Sequence, residues 1–322
     1  MATYKQIRGT TVQNNAGDYT GAVEGQLWYN STAGSFQFRS VAATGAWATG
    51  GSLNQARSNL SGGGIQTAAL GFGGQVGATI YALTEQYNGS SWTEVSDLNT
   101  ARYGLGGNGT YTSALAYGGL TPPATGVTES YNGSSWTEVA DLNTARQYVA
   151  GAGASNTSAL AIGGNGPNAQ VETWNGSSWT EVGDLNTARG EVGTAGTITA
   201  ALAFGSYPAT GITESWNGSA WTEVNDMNTG RSNMGGAGTN TAALAFGGYD
   251  GGSPGRTGVT ETWNGTSWSE VADLSTARNG LGGDGATNTV ALAFGGEGPP
   301  DTNATEEWTG AGAPTTETIT TS

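Results

Sequence analysis

The sequence predicts an all-β fold: a six-bladed β-propeller of four-stranded antiparallel blades, closed by an N-terminal strand that completes the last blade. Three observations predict it. The first is internal repetition. A Trp followed ten positions later by Arg recurs as Trp47/Arg57, Trp92/Arg102, Trp136/Arg146, Trp179/Arg189, Trp221/Arg231 and Trp268/Arg278, with 42 to 47 residues between copies. Four short strands repeating at that period are the signature of propeller blades. The second is composition: 57 Gly, 11 Trp and 12 Tyr in 322 residues, with only 11% charged, which suits many Gly-punctuated strands rather than long helices or disorder. The third is the pairing of incomplete ends, taken up below.

Each period reads in the same order. Strand a follows the Arg and is Gly-rich, as in YGLGGNG after Arg102; strand b is Ala-Leu-rich, as in SALAYGG. Strand c is acidic and aromatic, as in VTESYNG, and strand d begins SSWTEV. The Asn-Gly pair between c and d predicts a tight hairpin, because Asn and Gly tolerate positive φ. That explains the Asn-Gly-Ser/Thr sequons at Asn88, Asn132, Asn175, Asn217 and Asn264 without glycosylation. The last period ends after its c strand near Trp308, whereas a d-type segment around Trp47 stands with no a, b or c strand before it. The orphan strand and the missing strand are complementary, and unpaired strands at both ends would invite aggregation. The predicted organisation is therefore a non-repeating segment at 1–44, which a resemblance given below implies is an attachment or oligomerisation element and which is otherwise an extra hairpin packed on the ring, the propeller at 45–309 and a Thr-rich, extended tail at 310–322. Within the first segment, Leu27, Trp28 and Tyr29 and then Phe36 and Phe38 flank a polar turn, which predicts a hairpin.

Alternation along strand c places Glu85, Glu129, Glu172, Glu214, Glu261 and Glu306 on the more apolar face. Unpaired buried carboxylates are costly. The one regularly repeated cation is the Arg after strand d, so structural pairs are expected between these Glu and Arg57, Arg102, Arg146, Arg189, Arg231 and Arg278. The alternative, a ring of catalytic carboxylates, needs six copies of a group that catalysis uses once or twice. The repeated Trp is expected to fill the gap between blades, a sugar-stacking platform being the alternative. Asp97, Asp141, Asp184, Asp226 and Asp273 are expected to cap the d–a turn, with calcium as the alternative.

Several chemistries are excluded by residue type. With no Cys and no His there is no disulfide, no thiolate or imidazole metal site and no His-dependent triad. A net charge of −15 disfavours nucleic acid. No apolar run approaches the length of a membrane span, and MATYKQIRGTT lacks the apolar core of a secretory signal. No cofactor and no metal are expected.

The order of Arg, Gly-rich strand, strand ending in Gly-Gly, acidic-aromatic strand, turn and Trp resembles the kelch repeat over residues 45–309. The double glycine stands at Gly73/Gly74, Gly118/Gly119, Gly163/Gly164, Gly247/Gly248 and Gly295/Gly296, and departs once, at Gly205-Ser206. The NGSSWTEVxDLNTAR units also look like propellers encoded by tailed phages, marine ones especially, and the stretch at 25–40 looks like segments of tail-fibre and other virion proteins. Kelch-bladed copper oxidases require His and Cys, which are absent here. Sialidase-like propellers require a central cluster of unrepeated Arg, whereas Arg8, Arg39 and Arg256 are scattered. The resemblance therefore implies a non-enzymatic virion structural or appendage protein. It would be localised to the particle, with other virion proteins or further copies of itself as partners through residues 1–44, and a host-surface glycan as ligand. A soluble propeller lectin is the alternative.

Connectivity puts the a–b turns and the nearly uniform c–d turns on one side and the variable b–c loops with the d–a linkers on the other. Rigid scaffolds carry recognition on such loops. The expected ligand face therefore holds Tyr81, Pro122, Pro123, Asn165, Tyr207, Tyr249, Asp250, Arg256 and Asp301.

Overall fold

A computed structural model of the chain describes residues 12–17, 26–41, 44–165, 168–312 and 314–319. These residues form strands and turns, and no helix among them is long and apolar enough to cross a membrane. The chain divides into two compact units, residues 46–309 and the combined segments 1–45 and 310–322.

The larger unit holds six four-stranded antiparallel sheets in a propeller-like arrangement, each in the order a-b-c-d, and a two-stranded hairpin of Gln75–Val76 with Thr79–Ile80 in the first b–c loop. The second sheet is typical: Gly106–Thr110, Ser113–Tyr117, Thr128–Tyr131 and Trp136–Val139. The sixth combines Gly282–Thr287, Val290–Phe294 and Thr305–Thr309 with Ala46–Thr49, which pairs antiparallel in the register Trp47 with Trp308. The b strands are buried almost throughout, as in Ala114, Leu115, Ala116 and Tyr117, so they read as continuous apolar runs rather than alternating ones. The a strands are glycine-rich because neighbouring sheets converge there. A Cβ on Gly236 would stand 2.4 Å from the Thr194 carbonyl oxygen, and one on Gly151 would stand 2.5 Å from that of Gly107.

The d-strand tryptophans seal the gaps between sheets. Trp136 lies edge-on to Phe72 at 5.0 Å, and its indole N–H donates to Thr84 Oγ1 at 3.1 Å. The same pair of contacts recurs from sheet to sheet: Trp179 with Tyr117 and Thr128, Trp268 with Phe204 and Thr213, Trp92 with Phe294 and Thr305, Trp47 with Phe246 and Thr260. These indoles are buried, apart from the half-buried Trp47, so they offer no stacking platform to a sugar.

All six Glu–Arg pairs are present inside the sheets, with Nη2–Oε1 separations of 2.7 to 3.2 Å. Each Arg lies on the linker entering a sheet and meets the Glu on the c strand of that sheet. In five of the six an Asn three residues before the Arg joins it: Asn99 donates both its main-chain N–H and its amide to Glu129 Oε2, each at 2.7 Å. The repeated Asp side chains cap strand c, not the linker turn. Asp141 Oδ1 accepts the Thr128 N–H at 3.1 Å, and Asp97, Asp184, Asp226 and Asp273 do the same for their own c strands.

In the smaller unit, Leu27–Asn30 and Ser35–Val41 form an antiparallel hairpin in the register Leu27 with Phe38 and Tyr29 with Phe36. Tyr29 and Phe36 meet edge-to-face at 5.2 Å; Trp28 is fully buried and Phe36 is exposed. Gln13–Asn15 adds parallel to the first strand, and Pro314–Ile319 pairs antiparallel with Ser35–Val41. The Thr-rich C-terminal segment thus completes a sheet instead of standing apart as a tail. β-Branched Thr suits a strand edge.

Candidate functional site

On the side carrying the b–c loops, each linker contributes one residue in the left-handed region, two positions after its Arg. These are Asn59, Gly104, Tyr148, Glu191, Asn233 and Gly280, with φ between 52° and 60°. Their main chains hydrogen-bond in a cycle. Gly104 N donates to Asn59 O, Tyr148 N to Gly104 O, Glu191 N to Tyr148 O, Asn233 N to Glu191 O, Gly280 N to Asn233 O and Asn59 N to Gly280 O, at 2.5 to 3.4 Å. Below the cycle a collar of Leu60, Leu105, Val149, Val192, Met234 and Leu281 is largely buried.

The side chains of this cycle plug the end of the axis. Asn233 Nδ2 donates to Asn59 Oδ1 at 3.0 Å, bridging over Gly280, where a Cβ would stand 2.7 Å from that oxygen. The Tyr148 ring lies over Gly104, whose Cβ would meet it at 3.3 Å, and stands edge-on to Tyr103 at 6.3 Å. Gly and Asn suit the left-handed region, but Tyr and Glu are costly there, by of order 1 kcal/mol or more each. Burial pushes the Tyr148 hydroxyl up to about 12, with Tyr103, Glu191 and Glu297 adding to it. Burial also raises the Glu191 carboxyl, against a hydrogen bond from Ser232 Oγ at 3.1 Å.

Around the plug the b–c loops form a rim. Each begins beside the linker of its own sheet, as Leu120 does beside Tyr103 and Tyr249 beside Ser232. The candidate residues are distributed one loop at a time: Tyr81, then Pro122 and Pro123, then Asn165, then Tyr207, then Tyr249, Asp250 and Arg256, then Asp301. Tyr207 is the most exposed large side chain among them at 56%, and Pro122, Pro123 and Asn165 are exposed. Two of the candidates have local duties. Asp250 caps its own turn through the Gly252 N–H, and the Tyr249 ring occupies the space a Cβ on Gly255 would need. Arg256 and Asp301 are brought together with residues not singled out by sequence. Arg256 pairs with Glu297. Burial and then the Glu297 charge raise the Asp301 pKa, with Gly77, Ser58 and Arg256 acting in the opposite direction.

No repeat or motif in the sequence singles out Tyr148, Glu191, Asn59, Asn233 or Glu297. One signal was available: at the second position after each Arg, two Asn and two Gly share a column with Tyr and Glu. Nothing in the described residues gathers three or more Asp, Glu, His or Cys as a multi-carboxylate metal centre would. No protein-family model and no curated protein matches this chain.

Proposed function

We propose that the chain is a binding protein built as a closed six-bladed propeller, and that it serves as a non-enzymatic virion appendage presenting its b–c loop face to a host surface or to neighbouring subunits. The kelch-like repeat order and the phage-like texture of the units support this reading. The observation that carries it is a division of labour. The repeated polar and aromatic side chains satisfy one another inside or between sheets. Sequence variation and the two strained residues, Tyr148 and Glu191, gather on one face. Strain held at such a position is more often kept for a function than for folding. The rim offers tyrosines, amides and one ion pair, groups that recognise sugars by stacking and hydrogen bonding. The hairpin unit carrying Phe36 and Tyr29 is the proposed attachment element.

The test uses the full chain and three altered forms. Host-surface glycans arrayed on glass are expected to capture the full chain, and Y207A and E191G are expected to weaken capture at least tenfold. Removal of residues 1–44 is expected to abolish incorporation into particles while leaving glycan capture intact. Capture that survives both loop variants but is lost on altering the Asn-Gly turns would place the face on the wrong side. A chain absent from purified particles but active on glycans would favour the soluble lectin.

A further inference from the structure

Asn-Gly occurs eight times in the chain. Five copies, at Asn88, Asn132, Asn175, Asn217 and Asn264, occupy the c–d turns of the first five sheets, and each of these Asn is exposed. The sixth sheet has no c–d turn, because Ala46–Thr49 joins it from the other end of the chain. Two more copies, at Asn108 and Asn279, are buried. The eighth, Asn165-Gly166, extends beyond the described residues.

The five turns share one geometry. In the second sheet Asn132 Oδ1 accepts the main-chain N–H of Ser134 at 2.9 Å and that of Ser135 at 3.0 Å. The other four turns repeat both bonds at 2.9 to 3.0 Å. Asn132 and Asn217 add a third donor, the hydroxyl of the serine two residues on, at 2.9 Å. These bonds fold the side chain back along the turn's own main chain, which includes the peptide nitrogen of the intervening glycine. They also polarise the amide carbonyl as an oxyanion hole does, since a nucleophile adding to Cγ moves negative charge onto Oδ1. The nucleophile held next to it is that glycine nitrogen. No Cβ shields it, and its φ of 88° to 94° suits glycine alone. The turn's hydrogen bonds engage the N–H groups of Asn132, Ser134 and Ser135, which leaves the Gly133 nitrogen outside them.

We propose that these five turns are sites of spontaneous deamidation in the folded protein. The glycine nitrogen bonds to Cγ and the Cγ–Nδ2 bond breaks. The proton lost from the glycine nitrogen passes through water to Nδ2, which leaves as ammonia, and a five-membered imide remains. Water then opens either imide carbonyl, giving aspartate or, with the main chain rerouted through Cγ, isoaspartate. Each event turns a neutral amide into a carboxylate, so complete conversion adds five negative charges to a chain that already carries −15. All five fall on the side opposite the b–c loops. The buried copies lack this arrangement. Gly280, which follows Asn279, has its N–H held in the plug cycle by the Asn233 carbonyl at 2.8 Å. Asn108 lies within the strand Gly106–Thr110; its amide donates to Ser155 O at 2.9 Å, and its sealed Oδ1 has no donor.

The test incubates the full chain in mildly alkaline buffer, folded and in parallel in urea, and follows each Asn by peptide mass spectrometry with isoaspartate scored separately. In the folded chain the five turns are expected to convert at a pace within about tenfold of that in urea, and Asn108 and Asn279 at least about tenfold more slowly than the turns, because they react only when the ring opens. In urea all seven are expected to keep a similar pace. Isoelectric focusing of the folded chain should show up to five successive acidic steps. Turns that convert in urea but stay intact in the folded chain would overturn the proposal, since the hydrogen bonds would then hold the amide away from attack. Conversion of all seven at one pace in the folded chain would overturn it too, by placing the reaction in the unfolded state.

Discussion

Trp221 differs from its counterparts by one missing hydroxyl. Five d-strand tryptophans donate their indole N–H to a Thr on the preceding sheet, but the third sheet has Val171 at that position, and the Trp221 N–H is buried without a partner. V171T is expected to stabilise the chain by about 1 kcal/mol, and T213V to cost a similar amount by orphaning Trp268. Urea midpoints of the two variants check both. At the plug, E191G is expected to stabilise the fold by about 1 kcal/mol by relieving left-handed strain, whatever it does to binding. The pH dependence has a definite sign. Burial raises the Glu191 pKa in the folded state, so the stability it contributes is present below about 4.5 and is lost as pH rises through the folded value. E191Q is expected to remove that decline from a series of unfolding curves between about pH 4 and 7. The residues of this plug were hard to see in the sequence because a left-handed backbone is a property of the ring, not of the side chain placed there. Asn and Gly in the column announced it; Tyr148 and Glu191 contradicted it.

At the scale of the element, the linker Leu-Asn-Thr-Ala-Arg is a clasp. Its Arg donates to main-chain carbonyls and meets the Glu, as Arg146 does with Gly163 O, Gln170 O and Glu172, while its Asn holds the other carboxylate oxygen. Because each linker leaves one sheet and grips the next, the clasp sets how adjacent sheets are joined. R102M is expected to cost about 3–5 kcal/mol, since it strands the Glu129 carboxylate in the interior; the double change R102M/E129L should recover part of it. Thermal unfolding of the single and double variants reads this directly. The sixth clasp is the loosest. Ser275 replaces the Asn, and Arg278 sits 3.2 Å from Glu306 without hydrogen-bond alignment. S275N is therefore expected to stabilise by about 0.5–1.5 kcal/mol. The ion pairs were legible because the same two charges recur in step in a chain with few cations. The Asn was not, because in a linker it reads as an ordinary turn residue. The Asp is expected from sequence to cap its own linker turn, whereas it caps the start of strand c, for the same reason: turn preference says that an Asp caps, but not which strand lies across from it.

For the whole molecule, two independent cycles run through all six sheets. One is the main-chain hydrogen-bond cycle at the plug; the other is the succession of d-strand Trp against the preceding sheet, by ring contact at five junctions and, at the sixth, by Trp221 in one core cluster with Ile162. Both pass through the junction of sixth and first sheets, by way of Asn59 with Gly280 and Trp92 with Phe294. The number of repeats and the complementary ends could be read from the sequence, since the period is regular and each strand type has its own residues. The partner of the C-terminal segment could not, because its Thr-rich stretch has no hydrophobic rhythm to fix a register. Closure through Ala46–Thr49 is the claim on which the face assignment rests. A chain with no native Cys allows a clean test, a pair of cysteines at the paired positions Ala46 and Thr309. Oxidised A46C/T309C is predicted to form an intramolecular disulfide in the monomer and to gain about 2–4 kcal/mol of stability. Free thiols after oxidation, or crosslinks only between chains, would contradict a ring sealed by its own first strand.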